Sequence, residues 1–242
     1  MRIWSISDIG LVRHENQDAC GTMLIEDYTA AVVCDGMGGT AGGSVASKLA
    51  VETYRQALEG NLRRHMTAQQ LREVSGYAIA AANRAIRLRA KEEPSIHSMG
   101  TTLVAAIISG ENVLISNVGD SRAYLLSDSG IRQISKDHSL VQMMVDRGDL
   151  TAERAKSYPG KNFITRAVGT ETTVQCDIFH LDVAKGDYFL LCSDGLSNTM
   201  DDQEILFEVV HGVNKAHCCQ RLLDIAKNRG APDNVTSVLV LI

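Results

Sequence analysis

Aromatic residues are scarce in this sequence: they make up 5% of 242 residues, so a core must be built mainly from aliphatic side chains and alanine. Proline is rarer still, with three residues, and neither a linker nor a repeat interrupts the chain. No run approaches the ~20 apolar residues of a membrane span, and the first residues lack the basic and apolar regions of a secretory signal. We therefore expect one domain over residues 1–242 that makes no contact with a membrane.

The six cysteines form no C-x-x-C pair and fit no zinc template. Cys34 and Cys192 lie inside apolar runs, which is typical of buried, reduced thiols, so the expected compartment is the cytoplasm. A net charge of −5 and a pI near 5.8 argue against nucleic acid as a partner. An anionic substrate stays open because a bound cation reverses the local field. We expect a monomer.

The spacing of apolar residues predicts helices in the first and last thirds of the chain. Between Thr67 and Glu93 they recur at steps of three and four, and Thr67 with Gln70 forms a capping box. Further helices are predicted over residues 44–60, 201–211 and 214–228.

Strands are predicted where apolar runs flank turn residues. The segment TTLVAAIISGENVLISNVGD has two such runs around residues 109–112, and a second hairpin surrounds residues 128–130. The segments YFLLCSDG and VTSVLVLI add two strands. Consecutive hairpins with clustered helices favour an α+β fold of antiparallel sheets over a doubly wound parallel sheet.

Four aspartates stand at the ends or starts of predicted strands, namely Asp35, Asp120, Asp194 and Asp233. A single aspartate in such a place is usually a turn residue or a helix cap. Four at the edges of strands that share a core would repel one another unless cations are present. Oxygen-only ligands favour Mg²⁺ or Mn²⁺ over zinc. The residues alone leave both a divalent-metal site and a set of turn residues open.

Arg13 precedes an apolar run in the segment LVRHENQDA. Its planar guanidinium suits an oxyanion or a phosphate, because it binds two oxygens at once. The alternative is a surface arginine paired with Glu15 or Asp18.

Two rival motifs fit the predicted elements poorly. The glycine-rich segment from Gly36 to Ala41 matches a dinucleotide fingerprint, but that fold needs a second strand ending in an acid about 20 residues on. Glu59 lies in a predicted helix instead. Ser121, in Gly-Asp-Ser, is followed by a predicted strand, whereas a serine nucleophile usually precedes a helix.

Several motifs occur in order over nearly the whole chain, and together they resemble those of metal-dependent protein phosphatases of type 2C. These enzymes act on phosphoserine and phosphothreonine, and the small size is similar to that of the stand-alone bacterial branch. The motifs are R-x-x-N-Q-D (13–18), D-G-M-G-G (35–39), M-G-T-T-L (99–103), V-G-D-S-R-A-Y (118–124), D-H-S-L-V (137–141), T-R-A-V-G (165–169), S-D-G-L (193–196) and D-N-V-T (233–236).

The resemblance implies a four-layer α-β-β-α sandwich of two antiparallel sheets flanked by helix pairs, with two Mn²⁺ or Mg²⁺ ions and room for a third. Arg13 matches the phosphate-binding arginine, and the implied catalytic set is Arg13, Asp35 and Asp194. The implied metal ligands are Asp35 bridging both ions, the Gly36 carbonyl on one of them, Asp194 and Asp233 on the second, Asp18 through a coordinated water, and Asp120 with Asp194 at the third.

The implied reaction is hydrolysis of phosphoserine or phosphothreonine in proteins by a metal-activated water, opposing a eukaryotic-like serine/threonine kinase. Two alternatives stay open: a catalytically silent, phosphoprotein-binding relative, and a metal-independent serine hydrolase that uses Ser121. Relatives often carry a histidine where this sequence has Thr40, so the source of the leaving-group proton is an open question, with a coordinated water as our hypothesis.

Overall fold

Two antiparallel β-sheets form the centre of the fold, in a computed structural model that describes residues 1–96 and 98–242 except the side chains of Thr40, Ala41 and Pro94. The first sheet contains, from edge to edge, β1 (Arg2–Asp8), β11 (Val235–Leu241), β10 (Tyr188–Cys192), β7 (Arg122–Ser127) and β8 (Gly130–Gln133). The second contains β2 (Asp18–Ile25), β3 (Tyr28–Met37), β5 (Leu103–Ser109), β6 (Asn112–Val118) and β9 (Asp177–Asp182), with the short β4 (Gly100–Thr101) paired with β3.

Helices cover the outer faces of both sheets. The helices are α1 (Gly39–Asn61) and α2 (Ala68–Glu92) beside the second sheet, α3 (Leu140–Asp146) and α4 (Ala152–Ala155) between β8 and β9, and α5 (Asp194–Ser197), α6 (Asp202–Leu206) and α7 (Cys218–Asn228) beside the first sheet. Within the described parts of the chain, none of the helices is both long enough and apolar enough to cross a membrane.

Three apolar layers hold the sandwich together, one between the sheets and one beneath each set of helices. Strand β3 shows how the sequence produces them. Its residues Ala30, Val32 and Cys34 pack towards α1 and α2, whereas Ala31 and Val33 face the other sheet. Because both faces of this strand are buried, its apolar run is continuous rather than alternating. The predicted four-layer α+β sandwich is confirmed.

Most predicted elements are present, with shifted boundaries. Both hairpins are formed, and Thr67 caps α2 in the predicted capping box with Gln70. Helix α1 begins at Gly39, five residues before the predicted start, so the glycine-rich segment spans the end of β3 and the first turn of α1.

Two helix predictions in the last third are wrong in part. The predicted helix over 201–211 ends at Leu206 and continues as a π-helical turn over Phe207–His211. Lys215 donates hydrogen bonds to the carbonyls of Val209 and Val210 in that turn. In the predicted helix over 214–228, Asn214 has a left-handed backbone (φ 57°) and is not helical, Lys215–His217 form a 3-10 turn, and the α-helix begins at Cys218.

Candidate active site

The four aspartates at strand ends line one cleft of about 620 Å³, together with Arg13. Asp35 lies near the end of β3, and Asp120 follows β6. Asp194 begins α5 directly after β10, and Asp233 lies just before β11. The strands of both sheets therefore bring carboxylates from four distant parts of the sequence to the same end of the sandwich.

The backbone around Asp35 is held by two neighbouring threonines. The Asp35 amide donates to the Thr102 hydroxyl (2.9 Å), and the Thr102 amide donates back to the Asp35 carbonyl (2.8 Å). The Thr101 hydroxyl donates to the same carbonyl. Sequence reasoning quoted these threonines in a motif without giving them a role; they fix where the Asp35 side chain leaves the strand.

Asp18 lies directly opposite Asp35 in the β2–β3 register and is 5% exposed. Its Oδ2 accepts a hydrogen bond from the Ser193 hydroxyl (2.7 Å), whereas its buried Oδ1 has no hydrogen-bond partner. Burial and the charges of Asp194 and Asp233 raise the pKa of Asp18 to about 7, against the lowering effect of the hydrogen bond from Ser193. A buried carboxylate oxygen without a donor is a site that a cation would satisfy.

Three carboxylates that line the cleft, those of Asp35, Asp120 and Asp194, are also costly to ionise. Burial raises the pKa of Asp35 well above its usual range, and the charges of Asp18 and Asp194 raise it further. Burial and the charge of Asp194 raise the pKa of Asp120 to about 7. Burial and the charge of Asp233 raise the pKa of Asp194. Without a bound cation, the cluster therefore favours protonation.

Arg13 reaches the cleft from the loop between β1 and β2. Its Nη2 donates to Asp233 Oδ2 at 2.8 Å, and this pairing raises the pKa of Arg13. The alternative pairing with Glu15 or Asp18 is not formed, since Glu15 accepts from the Ser44 hydroxyl instead. In residues 1–96 and 98–242, no three His, Cys, Asp or Glu side chains are arranged around one point that could hold an ion. The four aspartates thus share one cleft, and the Asp233 side chain is paired there with Arg13.

Gly36 follows Asp35 in a space that admits no side chain. A Cβ at this position would lie 2.0 Å from the Gly43 carbonyl oxygen and 2.6 Å from the Gln17 carbonyl oxygen. The Gly36 amide donates to that Gln17 carbonyl at 3.0 Å. Absence of a side chain therefore lets three backbone segments meet beside Asp35.

The Gly36→Ala variant is expected to lose about 2 kcal/mol or more of unfolding free energy, because the new methyl group overlaps main-chain atoms that cannot rotate away. The matched control is Gly76→Ala in α2, where a Cβ meets no atom within 4 Å. This control should gain about 0.5–1 kcal/mol through helix propensity. Urea unfolding of both variants measures the difference. Equal stability of the two variants would contradict the packing argument.

Sequence reasoning assigned no role to several residues that line the cleft. They are His14, Thr102, Asn162, Ile164 and Asn234. The Asn234 side chain accepts from the Gln17 amide and donates to the carbonyls of Ile9 and Glu15, so it anchors the loop that carries Arg13. In the sequence, the signal that pointed to Asn234 was its place in the D-N-V-T motif. Nothing in the sequence marked Asn162 or Ile164.

The rival motifs find no support in the structure. Ser121 is fully buried, and its hydroxyl shares a hydrogen bond with that of Thr102 at 2.7 Å, so it is not placed as an accessible nucleophile. The glycine-rich segment leads into α1 and then α2, without the second strand of a dinucleotide-binding unit. The Thr40 side chain, on which the question of the leaving-group proton depends, lies outside the described part of the molecule.

Comparison with known proteins defines the class. The family model described as protein phosphatase 2C matches residues 13–225. A serine/threonine phosphatase stp of Listeria monocytogenes is 37% identical over 235 residues, which is 97% of this chain and 93% of that protein. The structure of the serine/threonine phosphatase Stp1 from Staphylococcus aureus superposes with a TM-score of 0.94 at 34% identity, covering 100% of this chain and 95% of that one. The catalytic domain of the serine/threonine protein phosphatase PstP, solved with two manganese ions, has a TM-score of 0.83 at 36% identity, covering 98% and 96%.

The fold and the matched sequence are thus those of a class of metal-dependent phosphatases. The chain belongs to the protein phosphatase 2C family. It is a serine/threonine protein phosphatase of the kind found as a stand-alone bacterial enzyme.

Proposed function

We propose that the cleft binds two divalent cations, Mn²⁺ or Mg²⁺, and hydrolyses phosphoserine and phosphothreonine in proteins. The carrying observation is the buried Asp18 Oδ1, which lacks a partner although it belongs to a group of desolvated carboxylates. A cation close to that group removes the penalty of ionising it. The donors are all oxygen atoms, as Mn²⁺ and Mg²⁺ prefer. Gly36 lines the same cleft, so its backbone carbonyl is proposed as a further oxygen donor.

The proposed roles follow the positions of these residues. Arg13, Asp35 and Asp194 form the catalytic set, with Arg13 as the phosphate-binding residue. The proposed ligands are Asp35 between both ions, the Gly36 carbonyl on one, Asp194 and Asp233 on the other, Asp18 through a water molecule, and Asp120 with Asp194 at a third ion.

When bound, such ions supply an activated water for in-line attack on phosphorus. The chain's own residues position the reaction. Arg13 uses one amino group on Asp233 and keeps further N–H donors for phosphoryl oxygens. Ser193 holds Asp18, and Thr102 holds the Asp35 backbone, so neither carboxylate has to reorganise when substrate enters. A water molecule is the proposed proton donor to the leaving alkoxide, since Thr40 occupies the place of the family's loop histidine.

The wider setting is also part of the proposal. Residues 1–242 act as one catalytic domain and as a monomer in the cytoplasm, opposing a serine/threonine kinase. The match to the family over residues 13–225 and the similarity to stp over 97% of this chain support a single catalytic domain over these residues.

The direct test is phosphate release from a phosphothreonine peptide with Mn²⁺, with Mg²⁺, and with Mn²⁺ plus excess EDTA. Turnover with either ion that EDTA abolishes is the expected result, and the ratio of the two rates selects the preferred metal. Binding of the phosphopeptide without phosphate release at saturating Mn²⁺ would instead support the silent, phosphoprotein-binding alternative.

The Arg13→Ala variant should lower kcat/KM for the phosphothreonine peptide by about 10- to 100-fold, because a hydrogen bond to a charged group is worth about 1.5–3 kcal/mol. Inhibition by inorganic phosphate should weaken in parallel. Arg64→Ala is the matched control, since Arg64 also forms an exposed 2.8 Å pair with a carboxylate, that of Glu26, outside the cleft. A kcat/KM for Arg13→Ala equal to that of the control would exclude the phosphate-binding role.

A further inference from the structure

We infer that the preferred substrate carries a bulky apolar residue on each side of its phosphorylated serine or threonine, and that two apolar rims of the cleft receive these residues. The inference rests on the proposed function of the cleft. One rim, the Arg13-side rim, consists of Leu11 and Val12. The other, the Ile164-side rim, consists of Phe163 and Ile164. Val12 and Ile164 both line the cleft that holds the four aspartates and Arg13.

The Arg13-side rim exposes two large apolar side chains on a fixed backbone. Leu11 is 60% exposed and Val12 is 61% exposed, immediately before Arg13. The Leu11 amide donates to the Ala231 carbonyl at 3.0 Å. A Cβ on Gly10 would lie 2.2 Å from the Asp233 carbonyl oxygen, so this loop packs tightly against the segment that carries Asp233. The backbone of Leu11 and Val12 is therefore held against the segment of Asp233, with both side chains exposed and Val12 lining the cleft.

The Ile164-side rim, in the segment between α4 and β9, also combines apolar side chains with a fixed backbone. Phe163 is 65% exposed. Its amide donates to the Gly160 carbonyl (3.0 Å), its carbonyl accepts from the Leu140 amide (2.8 Å), and Ile164 forms a β-bridge with Ser139. The Thr165 amide donates to the His138 carbonyl at 2.7 Å. Hydrogen bonds on both sides thus fix the backbone that carries these two apolar side chains, and Ile164 lines the cleft.

The apolar surface of the rims favours apolar flanking residues over polar ones. In the proposed function, the four aspartates of the cleft floor and Arg13 act on the cations and the phosphate, so their charges select the phosphate rather than its neighbours. An apolar residue beside the phosphate removes exposed apolar surface of the rims from water, whereas a polar residue leaves that surface without a matching partner. Ordered rims make that contact without first losing conformational entropy.

Two phosphothreonine peptides that differ only in the flanking residues, leucine on both sides or serine on both sides, test the inference. The protein as described, with Mn²⁺, should show a kcat/KM about tenfold or more higher for the leucine peptide. The double variant Val12→Ser/Ile164→Ser, which changes the two rim residues that line the cleft, should reduce this ratio to about twofold or less. The matched control is Leu24→Ser/Val213→Ser, which replaces two side chains that are 82% and 87% exposed outside the cleft and should keep the full ratio.

The outcomes separate this inference from the proposed function. Hydrolysis of p-nitrophenyl phosphate that requires Mn²⁺, with equal kcat/KM for the two peptides, would overturn the apolar rims and leave the phosphatase function standing. Absence of hydrolysis for all three substrates would overturn the proposed function itself. Sedimentation of the Val12→Ser/Ile164→Ser variant tests the remaining possible occupant of these rims, a second copy of this chain. If this variant converts a dimer into a monomer while the peptide ratio stays unchanged, the rims contact a second copy of this chain and the inference is wrong.

Discussion

The Asp194→Ala variant is expected to release phosphate from a phosphothreonine peptide at least about 1,000-fold more slowly than the unaltered protein at saturating Mn²⁺. Asp194 begins α5 at the cleft, and burial and the charge of Asp233 raise its pKa. A carboxylate in such surroundings is ionised more easily when a cation is bound beside it. Metal-dependent activation is worth several kcal/mol, and each 1.36 kcal/mol is tenfold in rate. Single-turnover phosphate release measures the loss.

The same substitution should leave the metal-free protein at least as stable as before. Removing a buried carboxylate relieves repulsion with Asp233, which offsets the lost hydrogen bond from Asn198. Asp128→Ala, in the β7–β8 turn, is the control for loss of an aspartate outside the cleft and should retain full activity. An inactive but stable Asp194→Ala protein supports a catalytic role. Full activity of this variant would remove Asp194 from the proposed ligand set.

The second large effect concerns the stability of the metal-free protein as pH changes. In the folded protein the pKa of both Asp18 and Asp120 is about 7, whereas the ordinary value of an aspartate is 3.8. Between these values the folded chain binds more protons than the unfolded chain. The unfolding free energy should therefore decrease as pH rises from about 4 to about 7 and lose this dependence at higher pH. The total change is several kcal/mol, since one pKa unit corresponds to about 1.4 kcal/mol.

Urea unfolding in EDTA at pH 5, 6, 7 and 8 measures this decrease, and the Asp18→Asn variant isolates the contribution of Asp18 because it cannot ionise. The slope between pH 5 and 7 should be smaller in the variant. Addition of Mn²⁺ at pH 8 should restore the lost stability, because a ligand that binds only the folded state stabilises it. The buried-carboxylate explanation would be contradicted if the unfolding free energy rose from pH 5 to pH 8 by the same amount in the unaltered protein and in Asp18→Asn.

Local patterns in the sequence determined most of the elements. The capping box at Thr67 and Gln70 and the two hairpin turns depend on neighbours within a few residues, so they could be read directly. The same holds for the buried strand β3, whose apolar run already implied two covered faces. The wrong helix boundary at Asn214 has a different cause: its left-handed backbone is set by the surrounding turn, and no apolar spacing reports it.

For the site, the sequence predicted which residues would come together in one cleft, and the tertiary structure decided how they meet. Strand ends and motifs marked Asp35, Asp194 and Asp233 because a carboxylate after an apolar run is visible in one dimension. Only the β2–β3 register places Asp18 opposite Asp35, and only the packing of the two sheets leaves its Oδ1 without a partner. The pairing of Arg13 with Asp233 joins residues 220 positions apart. Desolvation and such long-range contacts depend on the packed sandwich as a whole, which is why local sequence could not supply them.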